Sequence, residues 1–332
     1  MAFNSISSLQ LTTINSITHP KVTEKIADNI TASIPFLHEL NRIGNKEYES
    51  GGTQYRINVF KELQDASAYT GLTVFGDSAE ADPVTQAIYE RKMLTIPVII
   101  SGTNLLKNSG ADDTAIISYL TTQLEAAQES MKGSLAGSSI GIMSSQSDSD
   151  LGITGLQTYL SSSASTGTVG TLSRATYSWW RHYVAAHSAW STGGIAAMRT
   201  AFLNLTRGDE SPNLIITTLA GYSNFMRMLT GTVQYNGPVG SPASMDVDSQ
   251  AISFHGAKVL WDSYCLANRI YYVNSKYFKL IVHKDRDCSI REFISPTNQD
   301  AIQARMYWAG NLVCTALKMQ GVNTGTTIDT YS

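Results

Sequence analysis

Charge is scarce in this chain of 332 residues. Asp, Glu, Lys and Arg make up 15% of it, against about 25% in ordinary soluble domains. Lys plus Arg number 24 and Asp plus Glu 27, a formal net charge of -3. That balance excludes a global basic field able to hold nucleic acid in free solution. A polar but weakly charged surface suits a chain that covers much of itself with partners, because interface cores are depleted in Lys, Glu and Asp. Cysteine is scarcer still. Cys265, Cys288 and Cys314 are far apart and odd in number, which excludes a CxxC pair or a disulfide framework. They read as buried free thiols in a reducing cytoplasm. No run of 18 apolar residues occurs, so no membrane helix is expected. Met1 to Gln10 has neither the basic region nor the apolar stretch of a secretory signal.

Catalytic signatures are missing as well. No HExxH and no GxSxG is present, and His182 and His187 are five apart, so on a helix they would not share a face. Gly71 to Ser78 has the glycine spacing of a phosphate loop, but Asp77 replaces the lysine that should reach the phosphates. Asp148-Ser-Asp150-Leu-Gly152 resembles a calcium loop with the glycine misplaced and Tyr159 where a bidentate Glu belongs. Neither a cofactor nor a metal is expected. A triad assembled from distant His, Ser and Asp is the enzyme alternative, with no local nucleophile–base signature behind it.

Hydrophobic content is 42%, enough to build a core and to exclude disorder as the general state. Residues 1–49 read as an arm, with a short helix over Val22, Ile26 and Ile30 that Pro35 ends. Residues 50–103 read as a long hairpin. Tyr55, Ile57 and Val59 alternate with polar residues, and the return run is Ile88 to Ile100, where Pro97 restricts the strand to an edge. Such a hairpin is marginal alone in water. Its apolar side chains Tyr55, Tyr69, Leu72, Phe75 and Tyr89 need a surface, and a neighbouring subunit would supply one.

Asp112 and Asp113 start the clearest helix. Ile116, Leu120, Leu124, Ala127, Met131 and Leu135 follow at spacings of three and four, so 114–136 reads as a spine of roughly 35 Å. Ser, Gly and Thr dominate 137–172, read as loops with short strands and a flexible stretch at Ser161 to Gly170. Tyr177, Trp179, Trp180 and Tyr183 cluster, and a helix runs from Thr192 or Gly194 to Arg207. Leu214 to Ile216 reads as a buried strand, Tyr222 to Leu229 as a short helix, and 231–250 as a loop. From 251 the chain reads as mostly β, ending in the alternating run Ile302, Ala304, Met306, Trp308. Lys276, Lys279, Lys284, Arg286 and Arg291 make a basic stretch, and the aromatics beside it (Tyr271, Tyr272, Tyr277, Phe278) sit in apolar β runs that favour a core role.

The order of these segments resembles the major capsid proteins of tailed bacteriophages, whose fold is shared with encapsulins. Local phrases resemble them too: Gly51-Gly52-Thr-Gln-Tyr55, Gly170 to Trp179, Pro212 to Ile216, Phe254 to Asp262 and Ile270 to Phe278. The resemblance implies an α+β fold: arm 1–49, extended loop 50–103, peripheral lobe 104–205, α/β axial lobe 206–300, and a C-terminal return 301–332 to the peripheral lobe. It implies a coat protein that forms pentamers and hexamers in an icosahedral shell, assembled in the bacterial cytoplasm around double-stranded DNA that it does not read. The partners implied are the chain itself, a separate scaffolding protein or none, a portal and decoration proteins, with no membrane. Two ring sizes from one sequence require joints, expected at Gly51, Gly52 and Gly102. The runner-up is an encapsulin-like compartment.

Overall fold

In a computed structural model, residues 35–61, 83–108, 113–229 and 252–330 are described. The expected helix over Val22 to Ile30, the hairpin tip with Tyr69, Leu72 and Phe75, and the loop 231–250 lie outside the described residues. The chain begins with α1 (Pro35–Ile43) and β1 (Lys46–Glu49), then β2 (Gln54–Phe60), β3 (Val84–Glu90) and β4 (Lys92–Ser101). Next come α2 (Gly102–Asn108), the spine α3 (Asp113–Ala136), α4 (Leu156–Tyr159), β5 (Thr168–Val169), β6 (Leu172–Ser173) and β7 (Tyr183–Ala186). The second half runs α5 (Gly194–Leu205), β8 (Leu214–Thr217), α6 (Leu219–Leu229), β9 (Ile252–Phe254), β10 (Ala257–Trp261) and β11 (Arg269–Val273). It ends with β12 (Phe278–His283), β13 (Ser289–Ile290), β14 (Ala301–Cys314) and β15 (Gly321–Thr324).

Pro35 opens a helix. Proline is tolerated in a first turn, where its missing N–H has no intrahelical partner anyway. Phe36, Leu37 and Leu40 of α1 are buried, with Phe36 edge-on to Phe278 at 5.9 Å. Glu39 joins α1 to β10 through Lys258 at 2.6 Å.

Of the expected return run, the residues up to Glu90 pair with β2. β2 and β3 pair antiparallel, Tyr55 opposite Tyr89 and Phe60 opposite Val84, and the Lys61 N–H donates to the Pro83 carbonyl at 2.9 Å. The return run then changes sheets. β3 buries Ala87 and Tyr89, while β4 buries Lys92, Leu94, Val98 and Ile100. Odd positions face inward before Arg91 and even positions after it, and one regular strand cannot exchange its faces. At the break Arg91 reaches back to the Gly51 carbonyl (2.5 Å) and the Tyr55 hydroxyl (3.2 Å). β4 pairs over ten residues with β14, Lys92 opposite Gly310 through Ser101 opposite Ala301. Among the described residues β14 is its only partner strand, so Pro97 sits on an edge there, as the sequence requires.

Two larger sheets result. One has the order β1-β12-β14-β13 with β4 also on β14. The other has the order β7-β15-β11-β8-β10-β9, with all four residues of β8 buried at its centre. Sheet membership cuts across the lobe boundaries expected at 205 and 300. β7 precedes residue 205 yet lies with β8, β12 and β13 precede residue 300 yet lie with β14, and β15 crosses back to β11. Long-range ladder pairing decides this, and composition does not reveal which distant strand is the partner.

The spine α3 spans 24 residues, about 36 Å, one residue longer than the periodicity gives. Leu124, Ala127, Met131 and Leu135 are buried, and the helix packs on β4. They join the larger core with Trp308, Leu312 and the aromatics Tyr89, Tyr159 and Phe278. A smaller core, with Trp190, Met198, Phe202, Phe225, Phe254 and Tyr272, lies between α5, α6 and the six-stranded sheet.

Candidate assembly surface

Two residues expected to touch a neighbouring subunit face the interior of their own chain. Tyr55 is 3% and Tyr89 0% exposed. The Tyr89 hydroxyl donates to the Cys314 carbonyl at 2.8 Å, and the neighbouring Tyr159 hydroxyl to the Leu312 carbonyl at 2.5 Å. Alternation put Tyr55, Ile57 and Val59 on one face, but nothing local in the sequence tells whether that face meets its own chain or another.

The base of the hairpin is anchored. The short hairpin β5–β6 turns at Gly170 and Thr171, both with positive φ. Gly170 accepts from the Ile88 N–H at 2.9 Å and donates to Asp148 Oδ2 at 3.0 Å. A Cβ on Gly170 would lie 2.9 Å from the Tyr89 ring, so only glycine fits. Asp148 Oδ1 accepts from Thr154 Oγ1 at 2.6 Å, and burial raises its carboxyl above the usual carboxylate value despite these bonds. Lys92 Nζ donates to the carbonyls of Asp148 and Asp150, each at 2.5 Å. The stretch expected to be flexible, Ser161 to Gly170, is therefore pinned at both ends, since the Ser161 carbonyl lies 2.7 Å from His182 Nε2.

The expected joints differ among themselves. Gly52 has φ +83°, the left-handed conformation that favours glycine, while Gly51 has open space where a Cβ would go and its carbonyl accepts from Arg91. Gly102 is tethered: its N–H donates to the Asp300 carbonyl at 2.8 Å, and a Cβ would lie 2.2 Å from the Asp300 carboxylate. It reads as a fixed start for α2 rather than a joint.

An exposed face remains on the five-stranded sheet. Side chains opposite the buried set of β4 point outward there: Met93 (60% exposed), Thr95, Pro97 and Ile99 (55%). Their cross-strand partners include Tyr307, Arg305 and Gln303. Ile294, bridged to Gln303, adds a further exposed apolar side chain. Arg286 and Arg291 flank the Tyr307 ring, with guanidinium carbons 5.4 and 5.7 Å from its centre. Of the basic stretch, two lysines are paired inside the chain: Lys276 with Glu210, and Lys279 with Glu47 at 2.6 Å. Arg286, Arg291 and Arg305 have no carboxylate partner among the described residues. The aromatics Tyr271, Tyr272 and Phe278 are buried, the core role expected for them. Sequence reading missed this face because its apolar residues sit in the same strand as the core residues and differ only in phase.

No family model matches the chain, and no curated protein matches it by sequence. Solved structures do match its fold. The capsid asymmetric unit of cyanophage A-1(L) superposes with a TM-score of 0.61 at 15% identity, covering 87% of this chain and 93% of that one. The capsid of a native GTA particle gives 0.53 at 12%, covering 86% and 89%. The SrpI encapsulin of Synechococcus elongatus PCC 7942 gives 0.50 at 12%, covering 94% and 97%. The alternation of hairpin, spine helix and two interlocked sheets is therefore the α+β major capsid fold, common to phage shells and an encapsulin.

Proposed function

We propose that this chain is a major capsid protein, which self-assembles as pentamers and hexamers into an icosahedral shell around double-stranded DNA of a tailed phage. Its work lies in contacts between copies and not in a reaction. The observation that carries this reading is the match of 86–87% of this chain to capsid structures. Stability of such a shell comes from many modest interfaces repeated by symmetry. With a net charge of -3, DNA is confined by the shell rather than gripped by it. A scaffolding protein, a portal and decoration proteins are further partners, and the mature location is the virion.

The hairpin tip and the exposed sheet face complement each other in charge. Residues 62–82 carry Glu62, Asp65, Asp77, Glu80 and Asp82, no Lys, Arg or His, and the large apolar residues Tyr69, Leu72 and Phe75. The sheet face offers Arg286, Arg291 and Arg305 beside Met93, Ile99 and Ile294. In this reading the tip of one copy lies over the sheet of the next. Tyr69, Leu72 and Phe75 keep their role as contact residues, which Tyr55 and Tyr89 lose. Changing Arg286, Arg291 and Arg305 together to Glu is expected to weaken assembly by roughly 100-fold or more, because like charges facing each other cost several kcal/mol. Light scattering against protein concentration measures it. Assembly at the wild-type concentration would remove the sheet face from the interface.

An encapsulin-like compartment is the second reading, favoured by coverage of 97% of the encapsulin chain. The contents of particles purified from the native source decide between them. Packaged DNA supports the phage reading, and a protein cargo overturns it.

A further inference from the structure

Two buried histidines bracket an edge strand of the six-stranded sheet, whose two faces belong to different cores: Leu214, Ile216, Tyr271 and Val322 to the larger, Ile215, Ile270 and Tyr272 to the smaller. Trp180 belongs to the larger core and Trp190 to the smaller. Between them β7 pairs in parallel with β15 at the edge of the six-stranded sheet. His182 and His187 flank β7, and both are buried.

The proton positions follow from their neighbours. His182 Nδ1 lies 3.1 Å from Arg174 Nη1. A guanidinium only donates, so Nδ1 must accept and the ring proton sits on Nε2, which donates to the Ser161 carbonyl at 2.7 Å. Arg174 is itself buried, donates to the carbonyls of Thr158 and Tyr159 (3.1 and 3.2 Å), and meets no carboxylate. His187 Nδ1 lies 2.5 Å from the Ser188 carbonyl, so it carries the proton, and its Nε2 is buried without a partner. The His187 ring packs 4.6 Å from Trp190, whose indole N–H donates to the Ile328 carbonyl at 2.8 Å. Ser161 and Arg174 face His182, and among the described residues Arg174 is the one charged group acting on it. Ser188, Trp190, Gly194 and Gly325 face His187, and no charged group among the described residues acts on it.

We propose that residues 180–190 form an acid-released latch, in which protonation of His182 and His187 frees β7 from β15 and opens this edge of the six-stranded sheet. A proton on His182 sets an imidazolium against the Arg174 guanidinium and removes the acceptor of its Nη1 bond. A proton on His187 creates a buried cation with a donor that has nothing to bind. No carboxylate stands by to offset either charge. Burial, chiefly, holds His182 at about 4 and His187 below its usual value. The sign follows: an open latch binds protons from about pH 6.5 downward and the closed one resists them. Closure is thus fully favourable above pH 6.5 and fades as pH falls towards 4.

The test is amide hydrogen exchange of the full chain at pH 7.5 and pH 5, corrected for intrinsic exchange rates. Protection at residues 183–187 and 321–324 is expected to fall about 30-fold from His182 alone, the ratio for a group titrating at 6.5 open and about 4 closed. β8 and β12 should keep theirs. A double variant, His182→Gln with His187→Asn, supplies amides that do not titrate, and its protection should not respond to pH over this range. Unchanged protection in the wild type, an equal fall in every strand, or a response that survives in the double variant would each overturn the proposal. The wild-type measurement decides even if the double variant does not fold.

Discussion

Replacing residues 62–82 by an Asn-Gly turn is expected to abolish shell assembly and leave the two cores folded. The structure dictates where to cut. The Lys61 N–H already donates to the Pro83 carbonyl at 2.9 Å, and Phe60 stands opposite Val84. Two residues of Asn-Gly match the twist of the flanking strands, and Pro83→Thr beside them supplies the N–H that the closing bond of the turn needs. The folded core below is untouched, since Tyr55 and Tyr89 are held inside it. Shortening the connection from 21 residues to two lowers the closure cost by only about 2 kcal/mol, in the stabilising direction. What goes is the entire acidic and aromatic tip. Thermal unfolding should therefore stay near that of dissociated wild-type chains while sedimentation shows no particles. Normal shells from the shortened chain would refute the role given to the extended loop.

Asn311→Ala is expected to destabilise the chain by about 3–5 kcal/mol, a large part of the roughly 5–15 kcal/mol that holds a typical domain together. Asn311 is wholly buried on β14 and saturates its amide. Its Nδ2 donates to the Glu90 carbonyl at 2.8 Å and to Thr154 Oγ1 at 3.0 Å, and its Oδ1 accepts from the N–H groups of Thr154 (3.0 Å) and Leu312 (2.9 Å). One side chain so fastens the loop before α4, the end of β3 and the middle of β14. Alanine leaves several buried polar groups without partners, each costing about 1–3 kcal/mol. Urea unfolding of the tipless chain, which keeps assembly out of the transition, measures the loss. A change below about 1 kcal/mol would mean that water replaces the amide, and the network would not be the clamp described here.

Local regularities carried much of the fold. The spacing of Leu124, Ala127, Met131 and Leu135 marked the spine to within one residue, and the β-branched run at Leu214 marked the most buried strand. Pro97 reported an edge. What escaped reading was the change of sheet at Arg91. Met93, Pro97 and Ile99 are as apolar as Leu94, Val98 and Ile100, so alternation could not separate a core face from an outer one. The lobe boundaries escaped for a related reason. β7 finds β15, and β12 finds β14, through pairings over tens to more than a hundred residues that leave no local mark. The contact residues were half legible: an unsupported apolar hairpin was evident, but Tyr55 and Tyr89 find their surface within the same chain. The exposed arginines became visible only once Lys276 and Lys279 were seen to be paired.

The central claim is that this chain builds a shell from copies of itself. Electron microscopy of the purified full-length protein, with size-exclusion chromatography alongside, tests it most directly. The account predicts rings of five and six or closed icosahedral particles. A monomer at every concentration and salt, and still a monomer when co-expressed with its neighbouring gene products, would contradict it.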